Sequence, residues 1–222
     1  MLGEIVEQLL AVERDENIRI SNIVFMGIGE PLDNYENLME AIKIFNNPKG
    51  IEIGARHISV STSGIVPKIY DLADQGIQCT LSISLHSASD EVRSQMMPIN
   101  KVYPLEKLME ACRYYIDKTN RRISFEYALT QENNDNLKDA EELSKLLKGI
   151  HCHVNLIPIN KIEVESGGPK WTRPDSENIL KFRDYLNKKG IVATVRRELG
   201  TDIDAACGQL KKNNDKKVKE GS

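Results

Sequence analysis

The 222 residues carry 30 Lys and Arg against 33 Asp and Glu, a formal charge of −3, with 40% hydrophobic and 28% charged composition. That is enough chain for one α/β domain with its own core, and it excludes binding a polyanion through bulk charge alone. No apolar run nears the ~20 residues of a membrane span and the N-terminus lacks the basic and apolar stretches of a secretory leader, so a cytoplasmic protein with no membrane partner is expected.

Helical spacing comes first, with Ile5, Leu9 and Leu10 on one face over residues 3–12. Five later β-branched runs alternate with helical periods after a first run at 22–26, at 57–63, 79–85, 122–129, 153–159 and 192–199. The helices between them fall at 35–45, 105–116, 137–147 and 176–186. Alternation of this kind predicts βαβ units and a parallel sheet. Several runs read as apolar on both faces, as strands covered by helices should be. The fold class is α/β, a partial (β/α) barrel of about six parallel strands over 1–210, followed by a polar, Lys-rich tail at 211–222 expected to be disordered. Because a barrel should open with a strand and this chain opens with a helix, the first strand is expected to be missing and one sheet edge open to association.

Reacting groups of such barrels gather at the C-terminal strand ends. The first run leads into Gly27-Ile28-Gly29-Glu30-Pro31, where glycine permits close backbone approach and Pro31 holds Glu30 extended. A carboxylate presented there suits an ammonium group, although a plain strand-to-helix turn reads the same way. The second run ends Ser61-Thr62-Ser63-Gly64, hydroxyls before a helix, suited to a carboxylate, a phosphate or a simple N-cap. The third ends Ser84-Leu85-His86-Ser87, with a serine and a histidine able to meet ribose hydroxyls or base edges. Asn160 closes the fifth run, where its amide can pair with an adenine edge or simply make a turn. Four polar strand ends converging on one pocket imply a small-molecule site, without naming a reaction. An acid–base enzyme built on Glu30 and His86 is one rival reading.

Cys79, Cys112, Cys152 and Cys207 stand 33, 40 and 55 positions apart, without a tight pair that would suggest a metal or redox motif. In His151-Cys152-His153 an extended backbone points the histidines one way and the thiol the other, which favours an ordinary strand end. Cys79 and Cys152 fall near strand starts, opposite the site, and Cys112 falls within a helix. Cys207 lies among small neighbours Ala205, Ala206 and Gly208, while Asp202 and Asp204 would raise its pKa and blunt a thiolate.

The ordered segments GIGEP, ARHISVSTSG, SISLH, MPINK, RISFEYAL, CHVNLIPIN and DIDAACGQL resemble the RlmN/Cfr family of radical S-adenosylmethionine (SAM) methyltransferases, on its RlmN side. The likeness implies methylation of adenosine carbon 2 in 23S rRNA and in some tRNAs, SAM and a [4Fe-4S] cluster as cofactors, and an electron donor such as flavodoxin or ferredoxin. It implies a monomer when intact. It assigns SAM contacts to Gly29, Glu30, Ser61, Ser84, Leu85, His86 and Asn160, and assigns Cys207 the S-methylcysteine intermediate, so that SAM supplies the activation its acidic surroundings withhold. The family's CxxxCxxC cluster loop does not occur in these 222 residues, nor does any metal-ligand set. The expectation for the chain alone is therefore catalytic incompleteness and little RNA affinity. The alternative is a non-catalytic SAM- or nucleotide-binding fragment.

Overall fold

A computed structural model describes residues 1–26, 29–159 and 172–196. One parallel sheet contains β1 (Ile23–Phe25), β2 (Ile58–Thr62), β3 (Thr80–Ser84), β4 (Ile123–Leu129), β5 (Cys152–Pro158) and β6 (Val192–Val195), each strand beside its predecessor. Parallel crossovers between neighbouring strands are right-handed, so a sheet in simple sequence order carries its helices on one side and leaves the other as the barrel wall. Among the described residues β1 pairs only with β2 and β6 only with β5, so the sheet has two free edges.

The helices are α1 (Leu2–Glu16), α2 (Tyr35–Asn46), α3 (Val66–Asp74), α4 (Asp90–Met96), α5 (Leu105–Thr119), α6 (Leu137–Leu146) and α7 (Ser176–Lys188). Local chemistry sets their ends. Asn17 and Asn120 close α1 and α5 at φ 51°, the left-handed C-terminal position that Asn tolerates. Asn136 and Asp139 form a reciprocal capping box at the start of α6, and Pro67 lies in the first turn of α3, where its missing N–H costs nothing. The α3 and α5 helices pack side by side, as do α6 and α7.

The two faces of the sheet differ in kind. Val60, Leu81, Ile83, Phe125, Tyr127, Val154 and Leu156 point to the helices and are fully buried. Each such side chain contributes roughly 1.5–3 kcal/mol by leaving water. The opposite face carries Ser59, Ser61, Thr80, Ser82, Ser84, Ser124, Glu126, His153, Asn155 and Thr194, as the alternation of burial and the strand register require. Strands apolar on both faces were the expectation. Among the described residues the barrel-facing side is instead mostly polar, with Val24, Ala128, Ile157 and Val192 as its apolar members, and suits a polar ligand.

Candidate functional site

Glu30 stands between β1 and the 3₁₀ turn Pro31–Asn34 with extended backbone, φ −99° and ψ 112°, as the following proline dictates. Its Oε1 accepts from the Leu32 amide at 3.0 Å. Its Oε2 accepts from both the amide and the hydroxyl of Ser63, each at 2.7 Å. The hydroxyl-rich end of β2 thus binds a carboxylate, and that carboxylate is the protein's own. With three donors on about four acceptor positions, Glu30 keeps room for one more. Gly29 is exposed, and a Cβ built on it would meet nothing within 4 Å. An opening of about 540 Å³ lies beside these two residues, running along β1 between α1 and α2, with Ile5, Leu9, Phe25 and Leu38 in its wall.

In the Ser61–Gly64 segment each residue has a separate task. Ser61 faces the barrel beside Ser82. The Thr62 hydroxyl accepts the Gly64 amide at 3.0 Å, and Ser63 holds Glu30. Gly64 adopts φ +110°, a backbone conformation that favours glycine, and a Cβ there would also crowd Leu108 Cδ1 at 3.1 Å.

Arg93 of α4 is 0% exposed and joins β2 to β3. Its Nη2 donates to the carbonyls of Ser63 at 2.8 Å and Ser84 at 3.0 Å. Its Nε donates to the Leu85 carbonyl at 3.0 Å and its Nη1 to Asn100 Oδ1 at 2.7 Å. Burial lowers its pKa to about 10, which leaves it charged at neutral pH. Asn100 is fixed in turn by Asp90 and Ser94. Neither Arg93 nor Asn100 was singled out from the sequence. Arginine among charged neighbours reads as solvated surface, and MPINK offered Asn100 without a partner.

Ser84 is half-buried at the end of β3 and faces the barrel, whereas Leu85 turns fully into the helix-side core and meets the site only through its backbone. His86 leaves the strand at φ +60°. Its Nδ1 accepts the Ala128 amide of β4 at 3.0 Å, which places the ring proton on Nε2 because a backbone amide can only donate. Asn134 holds the turn by donating to the carbonyls of His86 at 2.7 Å and Ala128 at 2.8 Å. Burial, reinforced by the Arg93 charge, lowers the His86 pKa to about 4. A folded pKa below the unfolded value near 6.5 gives stability that is full above pH ~6.5 and is lost as pH falls through about 4, at most about 3 kcal/mol. An imidazole NMR titration should find His86 neutral at pH 5, and a native midpoint above 6 contradicts this geometry. A ring so occupied does not suit an acid–base pair with Glu30.

The described thiols do not fit an iron–sulfur cluster. Cys79 precedes β3, Cys112 lies in α5 and Cys152 begins β5, all buried and unpaired. Burial raises all three, Cys112 to about 12 and Cys152 to about 11, the reverse of what thiolate ligands need. Among the described residues no group of three or more His, Cys, Asp or Glu could hold a metal. Cys152 points to the helices, while His153 on the other face pairs Nε2 with Thr194 Oγ1 at 2.9 Å. Asn160, Cys207, Gly27 and the 211–222 tail lie outside the described residues. No helix among the described residues is long and apolar enough to cross a membrane.

The radical SAM superfamily model matches residues 3–147. The chain is 55% identical over 219 residues to a probable dual-specificity RNA methyltransferase RlmN of Caldanaerobacter subterraneus subsp. tengcongensis, covering 99% of itself and 62% of that relative. It is likewise 55% identical to the so-named protein of Geobacillus kaustophilus, covering 94% of itself and 57% of the relative. A solved radical SAM methyltransferase from Sphaerobacter thermophilus superposes with TM-score 0.84 at 44% identity, over 94% of this chain and 60% of that one. Streptococcus suis SuiB bound to S-adenosylmethionine shares the fold, with TM-score 0.61 at 12% identity over 87% of this chain and 43% of that one. The chain spans about three fifths of the length of the curated relatives it matches. With a superfamily match across most of its length, a six-stranded parallel sheet and polar groups gathered at the strand ends, the chain belongs to the radical SAM superfamily.

Proposed function

We propose that this chain is the SAM-holding barrel of an RNA methyltransferase that forms 2-methyladenosine in 23S rRNA and in some tRNAs. The observation that carries the reading is the joined set Glu30–Ser63–Arg93–Ser84, which fixes three strand ends around one polar wall. Relatives named as dual-specificity RNA methyltransferases support the substrate class. These residues fit SAM: Glu30 keeps an acceptor position for its ammonium group, Ser61 and Ser84 offer hydroxyls, and Leu85 lends only backbone. His86 Nε2 carries a proton for an acceptor atom of the ligand. Bound SAM supplies an activated methyl group and, when reduced, a 5′-deoxyadenosyl radical. Cys207, within DIDAACGQL, is the residue we assign to carry the methyl as S-methylcysteine, and Asn160 the one we assign to the adenine edge. A flavodoxin- or ferredoxin-type donor, a cytoplasmic setting and a monomeric whole protein belong to the same proposal.

Any [4Fe-4S] cluster needs cysteines other than Cys79, Cys112 and Cys152, and no radical-forming step is assigned to the described residues. That thiol chemistry favours a second reading of the chain alone, a module that binds SAM or a nucleotide without cleaving it. Anaerobic reconstitution with iron and sulfide, followed by iron counting and chromatography for 5′-deoxyadenosine, tests this. The 222-residue chain should retain no stoichiometric cluster and release no 5′-deoxyadenosine. Four irons per chain together with cleavage would overturn it.

A further inference from the structure

Across the barrel-facing side, Ser84, Glu126, Asn155 and Thr194 stand in register as one lateral row from β3 to β6. Glu126 is 6% exposed, an unusual place for a carboxylate. Its hydrogen-bond partners among the described residues are neutral: Asn155 Nδ2 donates to Oε2 at 2.7 Å and the Ser124 hydroxyl to Oε1 at 3.2 Å. A carboxylate has about four acceptor positions, so roughly two remain, next to the half-buried hydroxyl of Ser84. We propose that Glu126 is a ligand-binding residue that accepts hydrogen bonds from the two hydroxyls of a ribose, making this row the seat of the nucleoside half of the bound molecule.

The proposal rests on the SAM-holding function given above. The chemistry favours hydroxyls over an ammonium group. Drawing a cation against a carboxylate as buried as Glu126 costs more desolvation than drawing in neutral hydroxyls, and the more exposed Glu30 already offers a place for the charged end. Burial also raises the Glu126 pKa against the pull of Asn155, Ser124 and the Arg196 charge, a penalty that two charge-assisted O–H donors would offset. Strand alternation in β4 puts Ser124 and Glu126 on one face. The lateral partners follow only from the register.

Calorimetric binding of adenosine and of 2′,3′-dideoxyadenosine to the full chain and to Glu126→Gln tests the assignment. The native chain should prefer adenosine by about tenfold or more, and the preference should fall to about threefold or less in the variant, with thermal melting showing it folded. Should Glu126→Gln fail to fold, Ser84→Ala, which removes one half-buried hydroxyl, should lower the same preference several-fold. An undiminished preference in a folded variant overturns the role of Glu126 and leaves the SAM reading standing. A native chain that binds SAM but neither nucleoside, or both nucleosides equally, overturns the role of Glu126 alone, and a native chain that does not bind SAM either overturns the reading on which it rests.

Discussion

Replacing Arg93 with methionine should cost about 3–5 kcal/mol of stability, read as a fall in the urea midpoint without a change in slope. Methionine keeps much of the length and apolar bulk, so the loss isolates the guanidinium. The carbonyls of Ser63, Ser84 and Leu85 would be left without that donor at strand ends where water has little access. Each buried acceptor left unsatisfied costs about 1–3 kcal/mol. Lysine should rescue only part of this, because a single ammonium cannot span three carbonyls and Asn100 as a planar fork does. Ligand binding should fail in step, since Ser63 anchors Glu30. A variant within 1 kcal/mol of the native chain by the same titration would deny Arg93 its part.

Glu30→Gln should weaken SAM binding by at least about tenfold and cost about 1–3 kcal/mol in stability. The carboxylate receives three donors on two oxygens. An amide replaces one oxygen with a donor, which sets N–H against N–H at either Leu32 or Ser63. Ser63→Ala removes only the hydroxyl donor and should have the milder effect. Equal affinity for SAM in the native chain and in Glu30→Gln, measured calorimetrically, would show that Glu30 is a turn residue with no ligand role.

Much of the architecture was legible because its causes are local. The run at 122–129 gives β4 at Ile123–Leu129, and the period at 105–116 gives α5 at Leu105–Thr119, since β-branched alternation and helical spacing are carried by neighbouring residues. The seven-residue α4 escaped because so short a helix has no period to read. The polar strand ends were legible as candidates. What Ser63 binds was not, because the answer is a carboxylate 33 residues earlier in the chain. His86 was expected to point with Ser84 into the pocket, yet its positive φ turns the ring to β4, a backbone state that a non-glycine residue seldom announces. Arg93 and Glu126 escaped for one reason: charged residues are solvated by default, and only the lateral register reveals the carbonyls or amide that make their burial tolerable.

The joined strand ends of this chain either hold SAM or do not. Calorimetric titration of the 222-residue chain with SAM under anaerobic conditions measures that directly. One molecule should bind per chain, with affinity reduced in both Glu30→Gln and Arg93→Met; a chain that is folded by circular dichroism yet gives no binding heat at any SAM concentration would contradict it.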